Sequence, residues 1–207
     1  SATPVVSGVA ALVVQAEPAL TWRDVREILA QTARKNDPTD ADWFTNAAGY
    51  HINHSYGFGV VDADAAVTAA QGWTPLASGD AAAYQTSLQT VNSAITDNSA
   101  AGVSDVAAVL GSGTTDINQL EWVEVTLTAV HAAPGQLQVE LSAPSGTKSV
   151  LAERHLCPSG CSSYSGWVFG SARHLGEDPQ GDWTLTVSDR VAGTVGTFNS
   201  WRLKIYG

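Results

Sequence analysis

The chain opens with SATPVVSGVAALVV, residues 1–14, and this segment decides what the first part of the fold can be. Pro4 suits the first turn of a helix, because its fixed φ is helical and its missing N–H would have no partner there. The residues from Val5 to Ala16 are largely apolar on every face of such a helix. Helices of this kind are normally buried on all sides. The segment therefore predicts a core helix of a larger body.

Two further helices are predicted by their capping residues. Thr21 and Asp24 have the spacing of a capping box, with Thr21 as the N-cap and Asp24 reaching back to it. The apolar positions that follow have the spacing of an amphipathic helix that ends near Ala33, namely Val25, Ile28, Leu29 and Thr32. Asp62 is placed to cap a last helix, Ala63 to Gln71. Residues 56–61 predict an extended segment punctuated by glycines.

The second part of the chain has the periodicity of β-strands. From about Val103 onward, large apolar residues alternate with polar ones, and turn segments rich in Pro and Gly separate the runs. The runs are centred on Trp122 to Leu127, Leu137 to Leu141, Trp183 to Val187 and Phe198 to Ile205. Short strands at this spacing predict a two-sheet sandwich or jelly roll. Residues 75–102 are rich in Ala, Ser and Thr, and their periodicity is weak.

The formal net charge of −10 is unevenly distributed, because no Lys or Arg occurs from Asn36 through Thr147. An acidic surface repels phosphate backbones, so nucleic acid is excluded as a partner. The same surface would suit calcium or basic peptides; alternatively, it only keeps a secreted protein in solution. No apolar stretch approaches the ~20 residues of a membrane-spanning helix.

Cys157 and Cys161 are the two cysteines of the chain. A zinc site would need four ligands, and the sequence offers neither a second Cys pair nor a His doublet at zinc spacing, although His155 is near. A disulfide that closes a short turn fits better and indicates an oxidising compartment. So short a loop would stabilise the fold by about 2 kcal/mol or less.

Ser1 to Pro4 match the end of the motif Gly-Thr-Ser-x-Ala-x-Pro, which contains the nucleophile of the subtilases. Together with the segments below, this match makes the chain resemble the kexin and furin-like subtilases. The first part of the chain also carries LTWRDV and HSYGFGVVDA, residues 20–25 and 54–63. The second part carries segments that resemble the family's P domain: PSGT at 144–147, RHLGE at 173–177, GDWTL at 181–185, SWRL at 200–203 and YG at 206–207. The resemblance covers nearly the whole chain and is weakest from Thr74 to Gly102.

The resemblance implies a helical C-terminal remnant of an α/β subtilisin-like catalytic domain, residues 1–74, followed by an all-β, jelly-roll-like P domain, residues 75–207. In the family motif the reactive serine stands four residues before the proline, which is one position before Ser1. The family's catalytic Asp and His lie upstream of that serine. We therefore expect no catalytic residue in this chain, an inactive isolated polypeptide, and an N-terminal part of the same domain as the partner of residues 1–73.

The intact family member would be a secreted, calcium-dependent serine endopeptidase acting on peptides or proteins, with a preference for basic residues as a weaker implication. Most calcium ligands are expected upstream. Within this chain, two acidic clusters could gather oxygen ligands: Asp37, Asp40 and Asp42, and Asp178 with Asp182. Three histidines are candidate bases, and for each the structural role is favoured: His51 and His54 as structural residues, and His174 as a hydrogen-bonded residue of the sandwich.

The tryptophans allow a different class of function. Trp122, Trp167, Trp183 and Trp201 could form a platform for carbohydrate. Trp183 and Trp201 alternate with Leu, Val or Ile, which favours core packing for both. Trp167, beside Tyr164, is the one expected at the surface. A non-catalytic β-sandwich module that binds carbohydrate or protein is thus the alternative to the protease.

Overall fold

Helices and strands separate along the chain in the computed structural model, which describes residues 2–76, 81–111, 117–157 and 161–207. The chain divides into two units, Ser1–Asp80 and Ala81–Gly207. The first contains the helices and the second contains the two large sheets. No helix in the described ranges is long and apolar enough to cross a membrane.

The first unit contains three helices and one two-stranded hairpin. The helices are α1 (Ala2–Ala16), α2 (Trp22–Thr32) and α3 (Ala63–Gln71), and the strands are β1 (Phe44–Thr45) and β2 (His51–Ile52). The capping box of Thr21 and Asp24 is present, and the Asp62 side chain accepts a hydrogen bond from Ala65 N. All three predicted helices are therefore confirmed.

Residues 56–61 do not form a regular strand. Two isolated bridges, Asn53 with Gly57 and Arg34 with Val60, hold this segment instead. Gly59 adopts a φ of +113°, and a Cβ there would lie 2.4 Å from the carbonyl oxygen of Arg34. Only glycine permits this approach, so the backbone at Gly59 passes directly against that of Arg34, where an extended segment was predicted.

The second unit is a β-sandwich of antiparallel strands, as predicted. Its strands are β3 (Ala83–Gln85), β4 (Gln89–Ile95), β5 (Val103–Val109), β6 (Trp122–His131), β7 (Leu137–Ser142), β8 (Lys148–Ala152), β9 (Tyr164–Ser171), β10 (Gly181–Asp189) and β11 (Gly196–Tyr206). One sheet has the order β5-β10-β7-β8; the other has the order β3-β11-β6-β9, with β4 also pairing with β11.

The core of the sandwich lies between the inner faces of the two sheets. Its largest fully buried side chains are Trp183, Trp201 and Phe198. The inward positions of β6, β7, β10 and β11 alternate with outward ones, as the sequence predicted. Strands β3 and β4 lie in the region of weak periodicity, and each pairs with β11.

Candidate functional site

Helix α1 buries one face and leaves three large apolar side chains exposed on the rest of its surface. Val9 and Val13 belong to the small core of the first unit, where α1 packs against α2 and α3. Val5, Leu12 and Val14 are 58%, 47% and 41% exposed. The expected burial on all sides is therefore not achieved within this chain. We call the exposed part of α1 the open face of α1; it carries Val5 and Leu12 on one side of the buried stripe and Val14 on the other. Ser1 lies outside the described residues.

Asp24 connects the start of α2 to the segment that follows α3. Its Oδ2 accepts hydrogen bonds from the N–H and the hydroxyl of Thr21, at 2.8 and 2.6 Å. Its Oδ1 accepts hydrogen bonds from Trp73 Nε1 at 3.1 Å and Leu76 N at 2.7 Å. Burial by itself raises the pKa of Asp24, but these hydrogen bonds outweigh it and lower the pKa below its usual value. Asp24 is thus a buried structural carboxylate.

The acidic loop around Asp40 does not have the arrangement of a calcium site. Asp40 Oδ1 accepts hydrogen bonds from Asp42 N at 2.8 Å and Asn53 Nδ2 at 3.0 Å. Asp42 Oδ2 accepts one from His54 N at 2.6 Å, and Asp37 Oδ1 accepts one from the hydroxyl of Thr39. Within the described ranges, no group of three or more His, Cys, Asp or Glu residues could hold a metal ion. These carboxylates brace the loop.

His51 and His54 are both attached to that loop. The ring of His51 meets the indole of Trp43 edge-on, with the centroids 5.3 Å apart, and His54 is exposed. The Nε2 atom of His51 is buried and has no hydrogen-bond partner in the described part of the chain. Tyr50 donates a hydrogen bond to Glu27 at 3.0 Å; burial raises the pKa of Tyr50, and Glu27 raises it further. No described carboxylate is hydrogen-bonded to either imidazole ring, so a base with an orienting acid is not formed here.

Glu177 organises a buried polar cluster at one end of the sandwich. It accepts hydrogen bonds from the hydroxyls of Ser145 at 2.8 Å and Thr147 at 2.5 Å. His174 Nδ1 lies 3.5 Å from Glu177 Oε2, and its ring meets the edge of Trp183. Neither ring nitrogen of His174 has a hydrogen-bond partner among the described residues, whereas its carbonyl oxygen accepts a hydrogen bond from Glu177 N at 3.1 Å. The hydrogen bond predicted for this residue is thus made by its backbone and not by its ring. The ring is held by packing and by the nearby carboxylate.

The second acidic pair also lacks the features of a metal site. Asp178 accepts a hydrogen bond from Gln180 N at 2.9 Å, which closes the turn before β10. Asp182 is exposed on β10. Neither residue belongs, within the described ranges, to a group of three or more His, Cys, Asp or Glu side chains that could hold a metal ion.

The tryptophans divide as the alternation predicted. Trp183 and Trp201 are fully buried, and their indoles donate hydrogen bonds to Pro179 O at 2.8 Å and Asp105 Oδ2 at 2.8 Å. Trp122 is half-buried and packs over Gly170. Trp167 is 58% exposed on edge strand β9, in contact with Tyr164 and Phe169.

The disulfide between Cys157 and Cys161 is present, with a Cα–Cα distance of 5.8 Å. Residues 158–160, between the two cysteines, lie outside the described part. Cys157 lies just after the backbone hydrogen bond from His155 N to Gly135 O, at 2.9 Å. The disulfide therefore holds a connection beside the start of β7.

Sequence reasoning missed a buried pair between the two sheets, His131 and Asp189. His131 Nε2 lies 3.3 Å from Asp189 Oδ2, and both side chains are fully buried. Ala133 N donates to His131 Nδ1 at 3.1 Å, so the ring hydrogen is on Nε2 and points at the carboxylate. The sequence did contain a signal: His131 and Asp189 stand two residues after Ala129 and Val187, so the alternation of each strand places them on its inward face.

Comparison with known families agrees with this architecture. The model of the "Subtilase family" matches residues 1–59, which include α1 and α2. The model of the "Proprotein convertase P-domain" matches residues 120–205, which include strands β6 to β10 and most of β11. Neither match extends over residues 60–119.

Known relatives match over nearly the whole chain. Proprotein convertase subtilisin/kexin type 5 of Rattus norvegicus is 36% identical over all of this chain and 12% of its own length. Human proprotein convertase subtilisin/kexin type 6 is 33% identical over 99% of this chain and 22% of its own length. PC3-like endoprotease variant B of Hydra vulgaris is 32% identical over 91% and 26%. The chain thus spans between about an eighth and a quarter of these relatives.

Solved structures give the same result. The serine protease of Aeromonas sobria, in complex with its chaperone ORF2, aligns with a TM-score of 0.85 and 25% identity over all of this chain and 43% of that one. The same protease crystallised separately aligns with a TM-score of 0.83. The chain is therefore a kexin/furin-like subtilase sequence that contains the C-terminal part of a subtilisin-like catalytic domain and a P domain.

Proposed function

We propose that this chain is the C-terminal portion of a secreted, calcium-dependent subtilisin-like serine endopeptidase and that it carries none of the catalytic triad. The open face of α1 is the observation that carries the proposal. Three large apolar side chains on a helix inside the subtilase match are exposed, although globular proteins normally cover such a helix. The proposed domains are residues 1–74 for the catalytic part and 75–207 for the P domain.

The chemistry follows from the position of α1 in the motif. With Pro4 as the motif proline, the reactive serine stands immediately before Ser1, at the N-terminal end of the helix. The N–H groups and partial positive charge of a helix N-terminus favour the oxyanion that develops during acyl transfer. Asp and His of the triad would come from upstream sequence, and the serine would form an acyl-enzyme with the peptide.

The N-terminal part of the same catalytic domain is the proposed partner of this chain. Its sheet and helices would cover Val5, Leu12 and Val14 and so bury the sides of α1 that the first unit leaves exposed. The P domain would stabilise and dock the catalytic domain. Peptides and proteins are the proposed substrates, and the acidity of residues 36–147 supports a preference for basic ones.

The proposed calcium dependence and the proposed secretion are supported by different observations. The two acidic clusters of this chain do not fit a calcium site, so we place the calcium ligands in other parts of the intact protease, and none of the chemistry above depends on them. Secretion is supported by the disulfide, because disulfides persist in oxidising compartments.

A labelled fluorophosphonate, which reacts with activated serines, tests the proposal. We expect no labelling of the isolated chain and strong labelling of the intact protease. Substitution of the serine immediately before Ser1 by alanine should abolish labelling of the intact protease, whereas Ser1→Ala should leave it unchanged. Labelling of the isolated chain at Ser1, or loss of labelling in Ser1→Ala alone, would contradict the proposed register.

The exposed aromatic group of β9 supports one alternative function, that of a carbohydrate-binding module. Trp167 is 58% exposed, and large aromatic rings at a surface can stack on sugars. A glycan array probed with the chain and with Trp167→Ala separates the two functions. Glycan binding that is lost in Trp167→Ala would favour the module; its absence together with fluorophosphonate labelling of the intact protein would favour the protease.

A further inference from the structure

A pocket of about 500 Å³ lies in the second unit, beside the disulfide and the buried pair His131 and Asp189. Its walls come from the turn before β7, the segment after β8 and the segment after β10. The residues that line it are Ala133, Gly135, Gln136, Arg154, His155, Leu156, Cys157 and Val191. This volume is in the range of small-molecule sites.

The charge of the pocket is opposite to that of the chain. Arg154 and His155 are exposed at its edge, and none of the described lining residues is acidic. Arg154 has no ion pair within the described ranges, whereas the chain as a whole carries a net charge of −10. An uncompensated guanidinium at the mouth of a pocket favours an anionic group, and a carboxylate can accept two parallel hydrogen bonds from it.

The floor of the pocket is fixed by the buried pair His131 and Asp189. Ala133 N donates to His131 Nδ1 at 3.1 Å, and Val191 N donates to Asp189 Oδ1 at 3.0 Å. The two lining segments are therefore held to the same buried pair. Gln136 O also accepts a hydrogen bond from Arg190 N at 3.0 Å. A floor held in this way does not need to be ordered by the ligand, which lowers the cost of binding.

The wall that carries the cation is held against this floor. His155 N donates to Gly135 O at 2.9 Å, and a Cβ at Gly135 would lie 2.6 Å from His155 O and 2.9 Å from Cys157 Cβ. Glycine is therefore required for the wall and the floor to meet. His155 follows Arg154 in the chain. Its Nδ1 lies 2.9 Å from the carbonyl oxygen of Glu153, and this contact orients the imidazole ring. Leu156 is 94% exposed and supplies apolar surface at the edge.

We propose that this pocket binds a small organic carboxylate with an apolar substituent. The carboxylate would pair with Arg154, and the substituent would cover Leu156, Val191 and Ala133. Both the C-terminus of a peptide and a free organic acid present this chemistry. The site does not depend on the proposed protease function, because every group that forms it belongs to the P domain.

N-acetyl-leucine, its neutral amide N-acetyl-leucinamide and a tetrapeptide ending in leucine are the probes for a titration followed by amide NMR. The full chain is used, with Arg154→Gln as the test variant and Arg202→Gln, an exposed arginine on β11, as the matched control. We expect millimolar binding of the acid, shifts at the amides of Gln136 and Val191, and no binding of the amide. Arg154→Gln should weaken binding roughly tenfold or more, since it removes a charge-assisted hydrogen bond.

The two sources of the carboxylate are separated by the tetrapeptide. Tighter binding of the tetrapeptide than of N-acetyl-leucine assigns the pocket to peptide C-termini, and equal or weaker binding assigns it to free acids. Three results would overturn the proposal: no shifts up to about 20 mM ligand, which is weaker than any useful affinity; equal binding of acid and amide; or equal effects of Arg154→Gln and Arg202→Gln. Both variants change exposed side chains, so their thermal unfolding should match that of the parent chain.

Discussion

The carboxylate of Asp24 accepts a hydrogen bond from the indole Nε1 of Trp73 at 3.1 Å, across 49 positions of sequence. The same side chain completes the capping box of α2 and accepts a hydrogen bond from Leu76 N. Asp24 therefore fixes the segment that leaves α3 as well as the start of α2. A residue recognised in the sequence only as a helix cap has a second role in tertiary structure.

Asp24→Asn should lower the free energy of unfolding by about 3 kcal/mol, because the amide places a donor against Thr21 N–H and weakens charge-assisted hydrogen bonds. Thr21→Ala removes the hydroxyl that caps Asp24 N and donates to Asp24 Oδ2 but leaves the bonds to Trp73 and Leu76, and it should cost about 1 kcal/mol. Chemical denaturation of both variants measures the difference. An Asp24→Asn effect no larger than that of Thr21→Ala would show that the bonds to Trp73 and Leu76 contribute little.

The pH dependence of the free energy of unfolding, compared between the parent chain and Asp24→Asn, gives a second prediction. The pKa of Asp24 is lower in the folded state than its usual value of 3.8, so the unfolded chain binds the proton more readily. The stabilisation is complete above about pH 4 and is lost as the pH falls through the folded-state pKa. The difference in stability between the parent and Asp24→Asn should therefore narrow below about pH 4. A difference that stays constant down to about pH 2 would contradict this.

Substitution in the buried pair His131 and Asp189 should destabilise the fold far more than substitution in the exposed pair Lys148 and Glu140. His131→Ala removes one of the hydrogen-bond donors to a buried carboxylate and leaves a cavity, and it should cost about 3 kcal/mol. Lys148→Ala, at a 2.9 Å surface ion pair, should cost at most about 1 kcal/mol. Thermal or urea unfolding measures the stability of both variants. Equal losses of stability would show that the contact between His131 and Asp189 contributes no more than a surface ion pair. Nitrogen NMR of His131 should report the Nε2–H tautomer.

The tryptophans test the division between core and edge. Trp183→Ala removes a fully buried indole and should cost about 3–5 kcal/mol. Trp167→Ala removes a ring that is more than half exposed, and it should cost about 1 kcal/mol or less. Urea denaturation of the two variants measures this contrast. A large loss in Trp167→Ala would mean that its inward contacts with Tyr164 and Phe169 belong to the core.

Much of this fold could be predicted because local signals and tertiary packing agree. The bounds of α3 follow from Asp62 at one end and Gly72 at the other. The long strands follow from alternation, because one face of each is buried. Strand β9 was missed because five of its eight residues are exposed, and an edge strand has little need to alternate.

The buried pair and the pocket could not be predicted in the same way. His131 and Asp189 are 58 positions apart, and only the packing of one sheet on the other brings them together. The pocket brings together three segments whose residues carry no common pattern. The alternation of inward and outward positions could have identified the two polar residues as buried. Their pairing, however, depends on sheet registers that local sequence does not encode.

The open face of α1 gives the last prediction. Val5→Ser with Leu12→Ser should leave the stability of the isolated chain within about 0.5 kcal/mol, because both side chains are exposed, and should reduce its self-association. Val13→Ser, on the buried face, should destabilise the first unit by at least about 2 kcal/mol. In the intact protease, the Val5 and Leu12 substitutions should instead lower the yield of folded, active enzyme, since they would then lie under the sheet of the N-terminal part. Unchanged yield and activity of the intact protease would mean that this face stays open and that another surface binds the partner.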